Sequence, residues 1–85
     1  MSSSYHVERK HLLMISEKIC LKVKFERQKK GLSQEELAFS AGLSRNALWK
    51  IESGRVSPTI STLEKIADAL GIEFLALMDV SKVEL

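Results

Sequence analysis

Ile15, Ile19 and Val23 recur every fourth residue, the spacing that stacks side chains one turn apart on a single helix face. Gly31 follows as a stop, because glycine readily takes the left-handed conformation that ends a helix. The pattern predicts a first helix over about Ile15 to Lys30. Ahead of it, Met1 to His11 is polar, with Ser2, Ser3 and Ser4 in a row and no apolar face. Residues 1–13 therefore read as a polar, frayed arm in front of a folded domain over 14–79 and a short tail over 80–85.

Three hydroxyl residues mark further helix starts. Ser33 with Glu36 three residues on is a capping box, so a second helix begins near Gln34 and ends at Gly42. Ser44 caps a third, Arg45 to Ser53, closed by Gly54. Arg55-Val56-Ser57-Pro58 is a loop, and Thr59 caps a fourth helix whose Ile60, Leu63, Ile66, Ala67 and Leu70 keep helical spacing up to Gly71. A short fifth helix is expected from about Glu73 to Met78. No strand-type alternation stands out, and the predicted class is all-α with five helices.

Only Gly42-Leu43-Ser44 lies between the second and third helices, which makes them a helix-turn-helix. Ala38 is the small residue a close crossing needs, and Gly42 tolerates the turn. Leu37, Leu48 and Ile51 can fill the angle between the helices. At about 100° per residue, Arg45, Asn46, Trp49, Lys50 and Ser53 share one arc of the third helix, and Ala47, Leu48 and Ile51 share another. The polar arc carries Arg, Lys and Asn, side chains suited to guanine edges, phosphates and adenine edges in a DNA major groove wide enough for a helix.

Length and composition narrow the rest. At 85 residues and 9.6 kDa, 45% hydrophobic and 28% charged, the chain has the composition of one small ordinary domain. Its longest apolar runs fall far short of the ~20 residues that span a bilayer. With no signal-like start, a cytoplasmic location is expected. A lone Cys20 fits a reducing compartment and reads as a small core residue. His6 and His11 have no partner at metal spacing, so no metal site is expected, nor any cofactor. The absence of a phosphate loop or an acid–base pair argues against an enzyme. The net charge of +2 hides a gradient. Residues 1–33 hold eight basic and three acidic groups, a balance of +5; residues 34–58 balance at zero; residues 59–85 hold two basic and five acidic groups, a balance of −3. Either one end faces a polyanion or the charges form an ordinary solvated surface.

The window QEELAFSAGLSRNALWKIES at Gln34 to Ser53 resembles the Cro and lambda-repressor-like regulators of the XRE family, and the likeness runs from Val23 to Leu77, including GLSQEELA from Gly31, IESG at Ile51 to Gly54 and SPTISTLEKIADALGI at Ser57 to Ile72. The resemblance implies a five-helix DNA-binding domain that meets an operator as a dimer. It implies that Gln34 contacts a phosphate at a helix start, that Arg45, Asn46 and Lys50 with Ser44 beside them read bases, and that Arg55 holds backbone phosphate. It also implies a buried ion pair between Arg27 and Glu52. Two positions depart from the pattern. Trp49 stands where relatives carry a small polar residue, either touching DNA or folding back on its neighbours. Glu26 stands where relatives place Leu or Ile before the arginine, with Phe25 one position earlier, which implies a slightly rotated first helix.

Apolar residues beyond these needs suggest a second copy. Met14, Leu21 and Phe25 form another face of the first helix, and the C-terminal stretch is rich in aliphatics. A two-fold dimer through Phe74, Leu75, Leu77, Met78, Val80 and Val83 is expected; the alternative is a tail folded back over Leu21 and Phe25. The function these features imply is sequence-specific binding of a pseudo-palindromic operator for repression or autoregulation, as in phage-type repressors or restriction-modification controllers. An antitoxin-type module that engages a toxin and its own promoter is the alternative. A scaffold that has lost DNA binding is a third reading.

Overall fold

The computed structural model describes the backbone of residues 2–83 and the side chains of residues 15–83. The side chains of His6 and His11, where no metal site is expected, and residues Glu84 and Leu85 of the tail lie outside what the structure describes. Five helices follow in order: α1 (Ser2–Lys29), α2 (Gln34–Ala41), α3 (Arg45–Glu52), α4 (Ile60–Leu70) and α5 (Phe74–Met78). Among the described residues there is no strand. The helix starts at Gln34, Arg45 and Ile60 follow the caps read from sequence. The first helix differs, beginning well before Ile15, and residues 2–29 contain no glycine or proline that could break it.

Each predicted cap closes as expected for its residue type. The Ser33 hydroxyl accepts from the Glu36 N–H at 3.0 Å while the Ser33 N–H donates to Glu36 Oε1 at 2.8 Å. Ser44 accepts from the Ala47 N–H at 3.0 Å, and Thr59 from the Thr62 N–H at 3.1 Å. Gly42 ends α2 at φ 72. A Cβ there would meet nothing within 4 Å, so glycine is required by the backbone conformation and not by crowding.

All five helices contribute to one core. Val23 of α1, Leu37 and Ala38 of α2, Leu48 and Ile51 of α3, Leu63, Ile66 and Leu70 of α4, and Leu77 of α5 are buried together. Cys20 is also buried, and that burial raises its thiol pKa above the ordinary value. Leu77 corrects an expectation. It is 0% exposed and packs within its own chain, so it offers nothing to a second copy. Leu75, two residues earlier and 79% exposed, points away from that core.

The rotation implied for α1 does not occur. Phe25 stays 55% exposed and Glu26 takes the buried position, 7% exposed. A carboxylate is tolerated there because Lys22 and Lys29 flank it at 3.6 and 3.5 Å. Lys22 also donates to the carbonyl oxygens of Ala76 at 2.7 Å and Asp79 at 2.9 Å, fastening the end of α5 to α1. Residues 79–83 consequently run beside α1. A groove of about 830 Å³ opens between them, lined by Leu21, Phe25, Gln28, Ala76 and Val83 among others.

Candidate nucleic-acid interface

The side chains of α3 divide as its sequence demands. Leu48 and Ile51 are buried in the angle against α2, and Ala47 is half-buried. Arg45, Asn46, Trp49 and Lys50 are exposed on the other side, joined by Arg55 from the following loop. Among the described residues, no carboxylate forms an ion pair with Arg45, Lys50 or Arg55. Three unpaired cations on one face create a local positive potential that the overall charge of +2 does not convey. Between α3 and the start of α4 lies an open groove of about 410 Å³, lined in part by Ser44, Asn46, Lys50, Thr59 and Thr62.

Behind this face sits the pairing that fixes its angle. Arg27 donates from Nε to Glu52 Oε2 at 2.7 Å and from Nη2 to Glu52 Oε1 at 3.0 Å, a bidentate fork. Its Nη1 donates to the Leu32 carbonyl at 2.8 Å. Both residues are buried. The end of α1, the 30–33 turn and the last residue of α3 are thereby held to one another.

Gln34 has a partner that sequence reasoning missed. Its side-chain amide donates to Glu52 Oε1 at 3.0 Å, so the first residue of α2 is linked to the last residue of α3. The two lie 18 positions apart, and no local pattern announces such a contact. Half-buried Gln34 is thus oriented by the protein, at a helix N-terminus of the kind that favours anions. Ser44 is exposed but committed through its oxygen to the α3 cap, which leaves its O–H as the outward donor.

Trp49 stays on the exposed arc, 43% exposed, and does not join the core. The guanidinium carbon of Arg55 stands 5.0 Å from the centre of its ring, within the range of a cation–π contact. Arg45, Asn46, Trp49, Lys50 and Arg55 therefore share one surface, with Ser44 at its edge and Gln34 set back against the ion pair.

This arrangement of a buried-backed α3 set across a tight turn from α2 recurs in known proteins. The chain is 44% identical over 57 residues to the immunity repressor protein of Bacillus phage phi105, covering 67% of this chain and 40% of that one. It is 42% identical over 52 residues to the HTH-type transcriptional regulator y4dJ of Sinorhizobium fredii, covering 61% and 68%. The chain thus spans less than half the length of the phage repressor and about two thirds of y4dJ. Among solved structures, the restriction-modification controller protein C.AhdI from Aeromonas hydrophila superposes with a TM-score of 0.69 at 36% identity, covering 74% of this chain and 94% of that one. Residues 23–77 match the helix-turn-helix family HTH_3, and the chain belongs to that family, with a helix-turn-helix domain of the XRE type.

Proposed function

We propose that this protein represses transcription, its own included, by binding a pseudo-palindromic operator as a homodimer, with α3 of each copy in the major groove. The observation that carries the reading is the division of α3: Arg45, Asn46 and Lys50 exposed and free of carboxylate partners, Leu48 and Ile51 locked behind them. Arg45 and Lys50 are suited to guanine edges and Asn46 to an adenine edge. Gln34 and Arg55, one at the start of α2 and one beyond the end of α3, are suited to phosphates that set register. The role is one of binding without catalysis, needs no cofactor, and belongs in the cytoplasm where the DNA is.

The second copy docks on the C-terminal face. Exposed Leu75 and Phe25, with half-buried Phe74, Met78, Val80 and Val83, provide apolar surface on α5, the tail and the adjoining side of α1. A two-fold axis there repeats one patch on both subunits and sets two α3 helices about one DNA turn apart. The phi105 relative is an immunity repressor and C.AhdI is a controller protein, which supports the regulatory direction.

Selection of bound sequences from random duplexes tests this. The wild type is expected to enrich two related half-sites in inverted orientation, about 10 bp between centres. Repeating the selection with Lys50→Ala is expected to relax preference at one position per half-site, with a loss of about 1–3 kcal/mol on the wild-type site. No enrichment by the wild type overturns the reading.

A further inference from the structure

The pairing of Trp49 with Arg55 is unaccounted for by the fold. Trp49 is the chain's sole tryptophan, stands outside the core, and lies on the face that α3 presents. Arg55 reaches it because the backbone is turned back beyond α3. Gly54 adopts φ 75, a conformation that side-chain-bearing residues rarely take, and the Arg55 N–H donates to the Lys50 carbonyl at 2.9 Å. The Ser53 hydroxyl donates to the same carbonyl at 3.2 Å. The end of the helix is closed, and the guanidinium is carried over the indole at 5.0 Å.

A guanidinium stacked on a ring spends its face and keeps its N–H edge. Among the described residues that edge has no hydrogen-bond acceptor and no carboxylate. We propose that Trp49 is a positioning residue for Arg55: the indole holds the guanidinium so that its N–H fork forms a seat for a DNA backbone phosphate just outside the bases faced by α3. The proposal rests on α3 lying in a major groove. The ligand is the phosphodiester, which accepts a bidentate pair of hydrogen bonds from arginine. A free arginine side chain in a loop samples many rotamers, and ordering it before binding removes a cost that would otherwise be met in the complex. Trp49 then contributes to affinity without reading a base.

The test is a double-mutant cycle on the duplex recovered by selection, using wild type, Trp49→Leu, Arg55→Gln and the pair together. Trp49→Leu is expected to weaken binding about two- to five-fold, the range of an exposed cation–π contact. Arg55→Gln is expected to weaken it and to lower the salt slope by about one. In the Trp49→Leu background the Arg55→Gln loss is expected to shrink by the same two- to five-fold factor. Trp49→Phe, which keeps a ring face, is expected to restore most of the binding lost in Trp49→Leu. In the free wild type, tryptophan emission reports the stack directly and should shift on Arg55→Gln. Additive losses, or Trp49→Phe as weak as Trp49→Leu, overturn the proposal, because a tryptophan that touches DNA alone or only supports the fold produces no coupling to Arg55. Failure of the wild type to bind any duplex is a separate result, and brings down the reading of α3 itself.

Discussion

Glu52 accepts three hydrogen bonds from two side chains, at 2.7 and 3.0 Å from Arg27 and at 3.0 Å from Gln34. Taking this carboxylate and the Arg27 guanidinium out of water is expensive, and their attraction offsets the cost only because the fork is bidentate and the Leu32 carbonyl occupies Nη1. The pair therefore adds less to net stability than its geometry suggests, yet breaking it is severe. Glu52→Ala leaves the guanidinium buried and stranded, at a cost of about 3–5 kcal/mol. An 85-residue domain holds about 4–13 kcal/mol in total, so a fall in melting temperature of more than ~10 °C is expected. Thermal unfolding followed by circular dichroism measures it, and an unchanged midpoint refutes the account. Replacing both partners with apolar residues of similar size is expected to cost far less.

At the scale of helices, much of the architecture was legible from a few residues. Ser33, Ser44 and Thr59 announced three starts because a hydroxyl three residues ahead of a free N–H is a local fact of the chain. Leu48 and Ile51 announced the buried side of α3 because helical period alone separates them from Arg45 and Lys50. What was hidden depends on contacts between distant residues. Lys22 closes the end of α5 from more than 50 positions away, and buried Glu26 is tolerable only because two lysines of its own helix reach it. Trp49 on the exposed arc was visible, but its partner lies beyond a glycine with positive φ, where helical spacing no longer indicates direction. The α2 cap carries a prediction of its own. The Ser33 N–H and hydroxyl lower the pKa of Glu36 below its ordinary value of 4.5. A folded-state pKa below the unfolded one adds stability that is complete above about pH 4.5 and is lost as pH falls through the lowered value. Wild-type melting temperature should therefore decline more steeply than that of Glu36→Gln on titration from pH 6 to pH 3, and parallel curves count against the cap as the cause.

For the whole molecule, the gradient from +5 over residues 1–33 to −3 over residues 59–85 places acidic charge with α4, α5 and the tail, while the unpaired cations Arg45, Lys50 and Arg55 belong to α3 and its loop. An assembly that joins two copies through the C-terminal side keeps that acidic side off the DNA phosphates and leaves both cationic faces available. The tail lies partly along α1, fastened by Lys22, which is the folded-back alternative considered from sequence, and it still leaves Leu75 and Phe25 exposed as surface for the proposed second copy. Two aspartate substitutions two residues apart separate the proposed dimer contact from the core. Leu75→Asp puts a charge on a side chain 79% exposed, costs the monomer little, and is expected to convert the protein to monomers in sedimentation at micromolar concentration with little loss of helix. Leu77→Asp buries an unpaired carboxylate at a site 0% exposed and is expected to unfold the domain. DNA affinity should fall for Leu75→Asp as well, because each half-site is then bound independently and the effective concentration supplied by the partner copy is lost. A Leu75→Asp protein that sediments like the wild type removes α5 from the interface and leaves the fold and the α3 face as described.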